Sequence, residues 1–93
     1  MALAVRWTLI ALADLNHAIE FIAAVSPKAA KASALKLESG VEQIRNYPES
    51  GRPGRVKKTR ELVVSTTPYI IVYRAVDGYL EVLNILHSSQ KWP

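Results

Sequence analysis

Asp77-Gly78, set between two apolar runs, constrains this chain more than any other feature of it. A two-residue connection between antiparallel strands needs positive φ at both central positions, which Asp-Gly tolerates and most pairs do not. With Val76 opposite Tyr79, the register follows: Arg74 faces Glu81, Val72 faces Leu83, Ile70 faces Ile85, and Pro68 approaches His87. The opposite charges of Arg74 and Glu81 form a cross-strand pair that supports this register. The alternate face carries Tyr69, Ile71, Tyr73 and Ala75 against Leu86, Asn84, Val82 and Leu80. Both faces are rich in large apolar groups, so residues 69–76 read as a central strand buried on both sides.

The upstream half offers cover for one of those faces. Residues 3–7 alternate weakly, as a short edge strand does. From Thr8, a candidate N-cap, Leu12, Leu15, Ile19 and Ile22 recur at helical spacing, widened by Ala11, Ala18 and Val25. Ser26-Pro27 restarts a helix, with a hydroxyl at the cap and proline where its missing N–H costs nothing. Ala30, Ala34, Leu37, Val41 and Ile44 form its stripe, closed by Tyr47-Pro48. Gly40 costs that helix about 1 kcal/mol relative to alanine, so it marks close helix packing. One residue between the helices makes them an antiparallel hairpin. Residues 46–58 read as loop through Pro48, Gly51, Pro53 and Gly54, and residues 59–64 as a third strand. The expectation is a single α+β domain over 1–93: a short N-terminal strand, the helical hairpin, then a three-stranded antiparallel sheet. Ile70, Val72, Leu83 and Ile85 are left as an apolar face that calls for a second polypeptide, the alternative being that the C-terminal tail and the Pro/Gly loop fold over it. About six tail residues are too few to cover three strands of typical length.

Composition excludes several classes. The 93 residues contain no cysteine, so neither a disulfide framework nor a thiolate metal site exists. His17 and His87 have no ligand spacing, and no metal or cofactor is expected. No apolar run reaches membrane-span length. Arg6 and Asp14 break the N-terminal apolar stretch, against a signal peptide, so a cytoplasmic chain is expected. The net charge of +4 is modest, but Arg52, Arg55, Lys57, Lys58 and Arg60 put five cations in nine residues. Such a cluster favours nucleic acid or an acidic protein; a solvated loop explains it equally well.

The pattern Gly51-Arg52-Pro53-Gly54-Arg55-Val56, Thr59 to Val64, Pro68 to Arg74 and Leu80 to His87, followed by Gln90 and Trp92, resembles the RelE/ParE superfamily of bacterial toxins from type II toxin–antitoxin operons. Trp7, Ala13-Asp14-Leu15, Ile19 and Ile22 are similar to that family's first helix. The resemblance spans the chain and is most specific in its C-terminal half. It implies a helical hairpin on a small antiparallel sheet, in a hetero-oligomer with a cognate antitoxin, whose contact would be Ile70, Val72, Leu83 and Ile85. Two activities occur in such proteins: ribosome-dependent mRNA cleavage (RelE-like) and poisoning of DNA gyrase without nuclease activity (ParE-like). RNA cleavage through the 2′-hydroxyl needs a base, an acid and a cation for the phosphorane. RelE-like nucleases carry an arginine in the central strand where this chain has Ile70. That departure favours the ParE-like, non-enzymatic reading. The runner-up is an mRNA endonuclease using His87, Arg60 and Glu61, and a further alternative is an inactive binding or co-repressor module. Target contact is expected from Arg52, Arg55, Lys57, Lys58, Arg60, Gln90, Lys91 and Trp92, and a structural role from Arg74 with Glu81.

Overall fold

The elements run β1 (Ala4–Trp7), α1 (Leu9–Val25), α2 (Pro27–Asn46), β2 (Arg52–Pro53), β3 (Arg60–Val63), β4 (Tyr69–Val76) and β5 (Tyr79–His87), in a computed structural model that describes residues 2–92. Met1 and Pro93, where the leader and tail readings begin and end, lie outside them. The class is α+β as expected, but the sheet has five strands in the order β1-β5-β4-β3-β2. β1 joins as an edge strand parallel to β5. Two residues of the basic loop pair with β3 as β2, Arg52 opposite Glu61 and Pro53 opposite Arg60.

The Asp77-Gly78 turn is formed, with φ of 51° and 80°, and it sets Val76 opposite Tyr79 and Arg74 opposite Glu81. Beyond Tyr73 and Val82 the expected register fails. Val72 faces Asn84, Ile70 faces Leu86 and Tyr69 faces His87, with a bulge that leaves Leu83 without a partner. The cause lies in the neighbouring elements. β1 ends at Trp7, opposite Val82, so the outer edge of β5 loses its strand partner there. The start of α1 satisfies that edge instead. Thr8 donates its hydroxyl to the Leu83 carbonyl at 3.0 Å and its N–H to Val82 at 3.1 Å. Asp14 Oδ2 accepts from Ile85 N at 3.0 Å and Asn84 Nδ2 at 3.4 Å. Because side chains alternate, one extra residue transfers Ile85 and His87 to the helix side and Leu86 to the opposite one.

Both helices cover the same face. α1 is capped by Thr8, whose Oγ1 accepts from Ala11 N. Ser26 closes α1 and caps α2 through its own side chain, with Pro27 in the first turn. The buried edge of α1 centres on Ala11, with Leu15, Ala18 and Ile22 beside it, whereas Leu12, expected inside, is exposed. α2 buries Ala30, Leu37, Gly40 and Ile44. Gly40 does allow close approach, but to the sheet rather than to α1: an added Cβ would stand 3.1 Å from Ile71 Cδ1. Beneath the helices lie Leu62, Tyr69, Ile71, Tyr73, Leu80, Val82 and Ile85.

The second face is not bare. Ile70, Val72 and Leu86 are buried there, with Leu83 and Trp92 packed against them. The expectation of an uncovered face is therefore corrected: the apolar part is buried within the chain itself, with Leu83 and the tail's Trp92 packed against it. Charge finishes the other end, where Glu81 pairs with Arg74 at 2.6 Å and Arg6 at 3.7 Å.

Val72 has no solvent exposure, while Val63, on β3, is about half exposed. Val72→Asp should therefore abolish cooperative folding, as an unpaired buried charge does. Val63→Asp should change the unfolding free energy read from urea titration by no more than about 0.5 kcal/mol, the scale of ordinary surface changes.

Candidate functional site

The loop between α2 and β3 carries most of the expected contact residues, and two buried polar side chains fix its path. At its start, Tyr73 reaches from β4 on the helix side. Its hydroxyl donates to the Pro48 carbonyl at 2.7 Å and accepts from Gly51 N at 2.9 Å. Burial pushes this phenol above its ordinary pKa, against the opposing pull of Gly51 N–H and the Arg60 charge, so it stays a neutral donor. Arg60 Nη1 binds the Gly51 carbonyl at 2.9 Å, which gives it a structural partner. The chain then turns the sheet edge as β2.

On the far face the organiser is Glu61, only 2% exposed. Its carboxylate accepts from Arg52 Nη2 at 3.0 Å, Arg55 Nε at 3.2 Å and the Arg55 backbone N–H at 2.9 Å. Burial raises its pKa, but these donors outweigh that and hold the carboxyl below its ordinary 4.5. Arg55 continues the chain of contacts: Nη1 donates to the Trp92 carbonyl at 3.3 Å, and the guanidinium stands 5.9 Å from the Trp92 ring centre. The sequence reading missed Glu61 as a hub. An acid at an inward position of an apolar strand, flanked by five cations, was its available signal.

The tip beyond Arg55 is closed on itself. Gly54 N donates to the Thr59 carbonyl at 2.8 Å, Thr59 N to Val56 at 3.2 Å, and Thr59 Oγ1 to the same Val56 carbonyl at 2.6 Å. Lys58 has φ 67°, a left-handed conformation that side-chain-bearing residues adopt only where the surroundings enforce it. The tip is thus a fixed knuckle with Val56, Lys57 and Lys58 outward. Neither lysine enters an ion pair among the described residues.

The five-cation cluster therefore divides. Arg52 and Arg55 share the single negative charge of Glu61, Arg60 is tied to the Gly51 carbonyl, and Lys57 and Lys58 have no acidic partner among the described residues. Lys91 is exposed, Trp92 is half-buried over the second face, and Gln90 Oε1 accepts from His87 N at 3.2 Å to hold the tail turn.

The candidate nuclease groups do not converge. His87 lies on the helix side, edge-on to Tyr69 at 5.7 Å, with Nδ1 accepting from Ser89 N at 3.1 Å. Glu61 is on the opposite face, saturated by cations. The sequence register put His87 on the Ile70 face, and the bulge at Leu83 reverses that. His17 and His87 do line one recess with Asp14, but the Asp14 carboxylate is engaged by β5. Among the described residues no group of three His, Asp or Glu side chains is placed to hold a metal, and no helix is long and apolar enough to cross a membrane. Of the four expected antitoxin contacts, Ile70 and Val72 are buried in the cluster that Trp92 packs against, Leu83 is partly buried at the bulge, and Ile85 is in the helix-side core.

Comparison with known proteins agrees with this architecture. A family model described as the ParE toxin of type II toxin–antitoxin systems, parDE, matches residues 5–92. The chain is similar to Putative toxin Y4kP of Sinorhizobium fredii, 43% identical over 89 residues, covering 96% of this chain and 92% of that protein. It is also similar to Toxin RelE2 of Caulobacter vibrioides, 40% identical over 86 residues, covering 92% and 96% respectively. In fold it is similar to a chain of the chromosomal ParDE system from P. aeruginosa, with TM-score 0.81, 21% identity and coverage of 92% and 96%. A chain of the toxin–antitoxin complex RelBE2 from Mycobacterium tuberculosis follows at TM-score 0.62, 22% identity and coverage of 94% and 99%.

The lowered pKa of Glu61 has a definite sign. Its contribution to stability is complete above the unfolded value near 4.5 and is lost as pH falls through the lower folded value. Urea midpoints at pH 7 and pH 3 should therefore fall further in the native chain than in Glu61→Gln.

Proposed function

This chain belongs to the ParE family of toxins of type II toxin–antitoxin systems, and from that premise we propose that it arrests growth by inhibiting DNA gyrase rather than by cutting RNA, and that a cognate antitoxin neutralises it. One observation carries the choice of target: the groups that an mRNA-cleaving reading needs are separated by the sheet. Acid–base catalysis requires its groups within hydrogen-bond reach of the same reacting atoms. Glu61 is buried and matched by two arginines, with a depressed pKa that makes it a poor base. His87 faces the helices, and Ile70 brings no charge to the central strand. What the chain does offer is a rigid cationic knuckle, which suits contact with an acidic or nucleic-acid surface. A gyrase inhibitor acts where chromosomal DNA is, so the reading requires a cytoplasmic chain.

The antitoxin contact moves with the correction to the second face. Leu9 (85% exposed), Phe21, Val25 and Leu35 leave the helical hairpin with more uncovered apolar surface than the sheet, which supports an antitoxin segment lying along the helices. Both structural neighbours, one from a ParDE system and one from a RelBE2 toxin–antitoxin complex, support such a partner.

Purified chain added to gyrase, plasmid and ATP should accumulate linear DNA after detergent and protease treatment, with ribosome-bound mRNA left intact. Codon-phased mRNA cuts with intact plasmid would establish the RelE-type reading, and no effect on either would leave an inactive binding module. Lys57→Glu with Lys58→Glu should raise the inhibitory concentration about tenfold or more, as loss of charged contacts does, with the melting temperature unchanged. Val25→Asp with Leu35→Asp should abolish co-purification with the product of the adjacent antitoxin gene and leave gyrase inhibition in place.

A further inference from the structure

We propose that Glu61 is a positioning residue whose carboxylate, acting through Arg55, locks the basic knuckle and the C-terminal tail into a single contact surface. The proposal rests on the gyrase reading only for what that surface touches; the coupling itself stands on geometry.

Three observations carry it. First, the contacts are serial. Glu61 holds Arg55 by both its backbone N–H and its guanidinium, and the same guanidinium reaches the carbonyl and ring of Trp92, 37 residues away in sequence. Arg55 is thus the joint between two segments that share no secondary structure. Second, the polar contact to the tail has no substitute among the described residues. Trp92 meets the apolar cluster of Ile70, Val72 and Leu86 by packing alone. The tail's own hydrogen bonds, Ser88 to Pro68 and Gln90 to His87, stop short of it. Third, burial is unequal. The Glu61 side chain is 1% exposed, whereas Arg52 and Arg55 are 55% and 40% exposed. Both arginines can be solvated without the carboxylate, so removing it frees them to swing. Withdrawing Arg55 alone leaves the acid still matched by Arg52. A planar guanidinium holding a carboxylate with one edge and a carbonyl with another cannot be replaced by a lysine point charge.

Without this lock the knuckle keeps its internal bonds between Gly54, Val56 and Thr59, but its orientation is no longer tied to the tail, and Lys91 and Trp92 stand on a tail free to leave the sheet. Ordering both segments at the moment of contact would cost affinity that the locked form has already secured.

The test takes Trp7→Phe as parent, which leaves Trp92 as the sole tryptophan. Acrylamide quenching of Trp92 and the concentration for half-inhibition of gyrase are read in Glu61→Gln, in Arg55→Lys, in both together, and in Leu37→Ala. The last variant weakens the helix-side core and reports general destabilisation. Quenching is expected to rise severalfold in Glu61→Gln and in Arg55→Lys, with no further rise in the double variant, and to stay at the parent level in Leu37→Ala. Half-inhibition should weaken about tenfold in the first two, the equivalent of one lost charge-assisted hydrogen bond. Unchanged Trp92 quenching in Arg55→Lys, which keeps the buried acid paired and the chain folded, would overturn the proposal. So would a rise in Leu37→Ala as large as that in Glu61→Gln. If the parent fails to inhibit gyrase, the functional reading falls, and the quenching series still decides the coupling.

Discussion

A carboxylate withdrawn from water must be matched at close range or protonated, and much of this chain's C-terminal half is arranged around the need to match one. Glu61 sits on β3 facing away from the helices, where the cations that pair with it among the described residues come from a loop of proline and glycine with no regular structure beyond two residues of β2. Its desolvation is offset because the opposing arginines keep much of their own hydration, a more favourable arrangement than burying all three charges. Holding that acid obliges the loop to cross the sheet edge and lie over the far face. Arg55 then stands where the tail returns, and Trp92 completes the cover of Ile70, Val72 and Leu86.

A second constraint sets which side chains share a face of the sheet. β1 is too short to pair with the whole of β5, and the unpaired edge is met by Thr8 and Asp14 at the start of α1. The bulge that this attachment requires turns over every side chain after Leu83. His87 and Glu61 therefore end on opposite faces. Chemistry that needs an acid and a base together is remote from such an arrangement, whereas recognition by a preformed cationic surface is compatible with it.

Local signals were legible wherever a residue type has one conformational use. Asp77-Gly78 specified the hairpin, Ser26-Pro27 the junction between helices, and Thr8 the first cap. The pairing of Arg74 with Glu81 followed from the turn because no irregularity lies between them. Alternation carried no trace of the bulge, since Leu83, Asn84 and Ile85 read as a continuing strand and the atoms that hold the bulge are more than seventy residues away. The five cations were legible as a cluster, but their division was not. Composition counts charges and cannot assign them partners, so Arg52 and Arg55 looked as available as Lys57 and Lys58. Trp92 shows why a count of tail residues misled: a single indole packs against the cluster of Ile70, Val72 and Leu86, beside Leu83.

The account turns on that closure being made by the chain itself. A two-dimensional nuclear Overhauser spectrum of the isolated protein, with methyl-labelled isoleucine and valine, tests it most directly. Cross-peaks from the Trp92 indole protons to the methyls of Ile70 and Val72, with slow exchange of the β4 amides, are the expected result. An indole at its random-coil position, with no such cross-peaks and with those methyls open to a soluble paramagnetic probe, would contradict it.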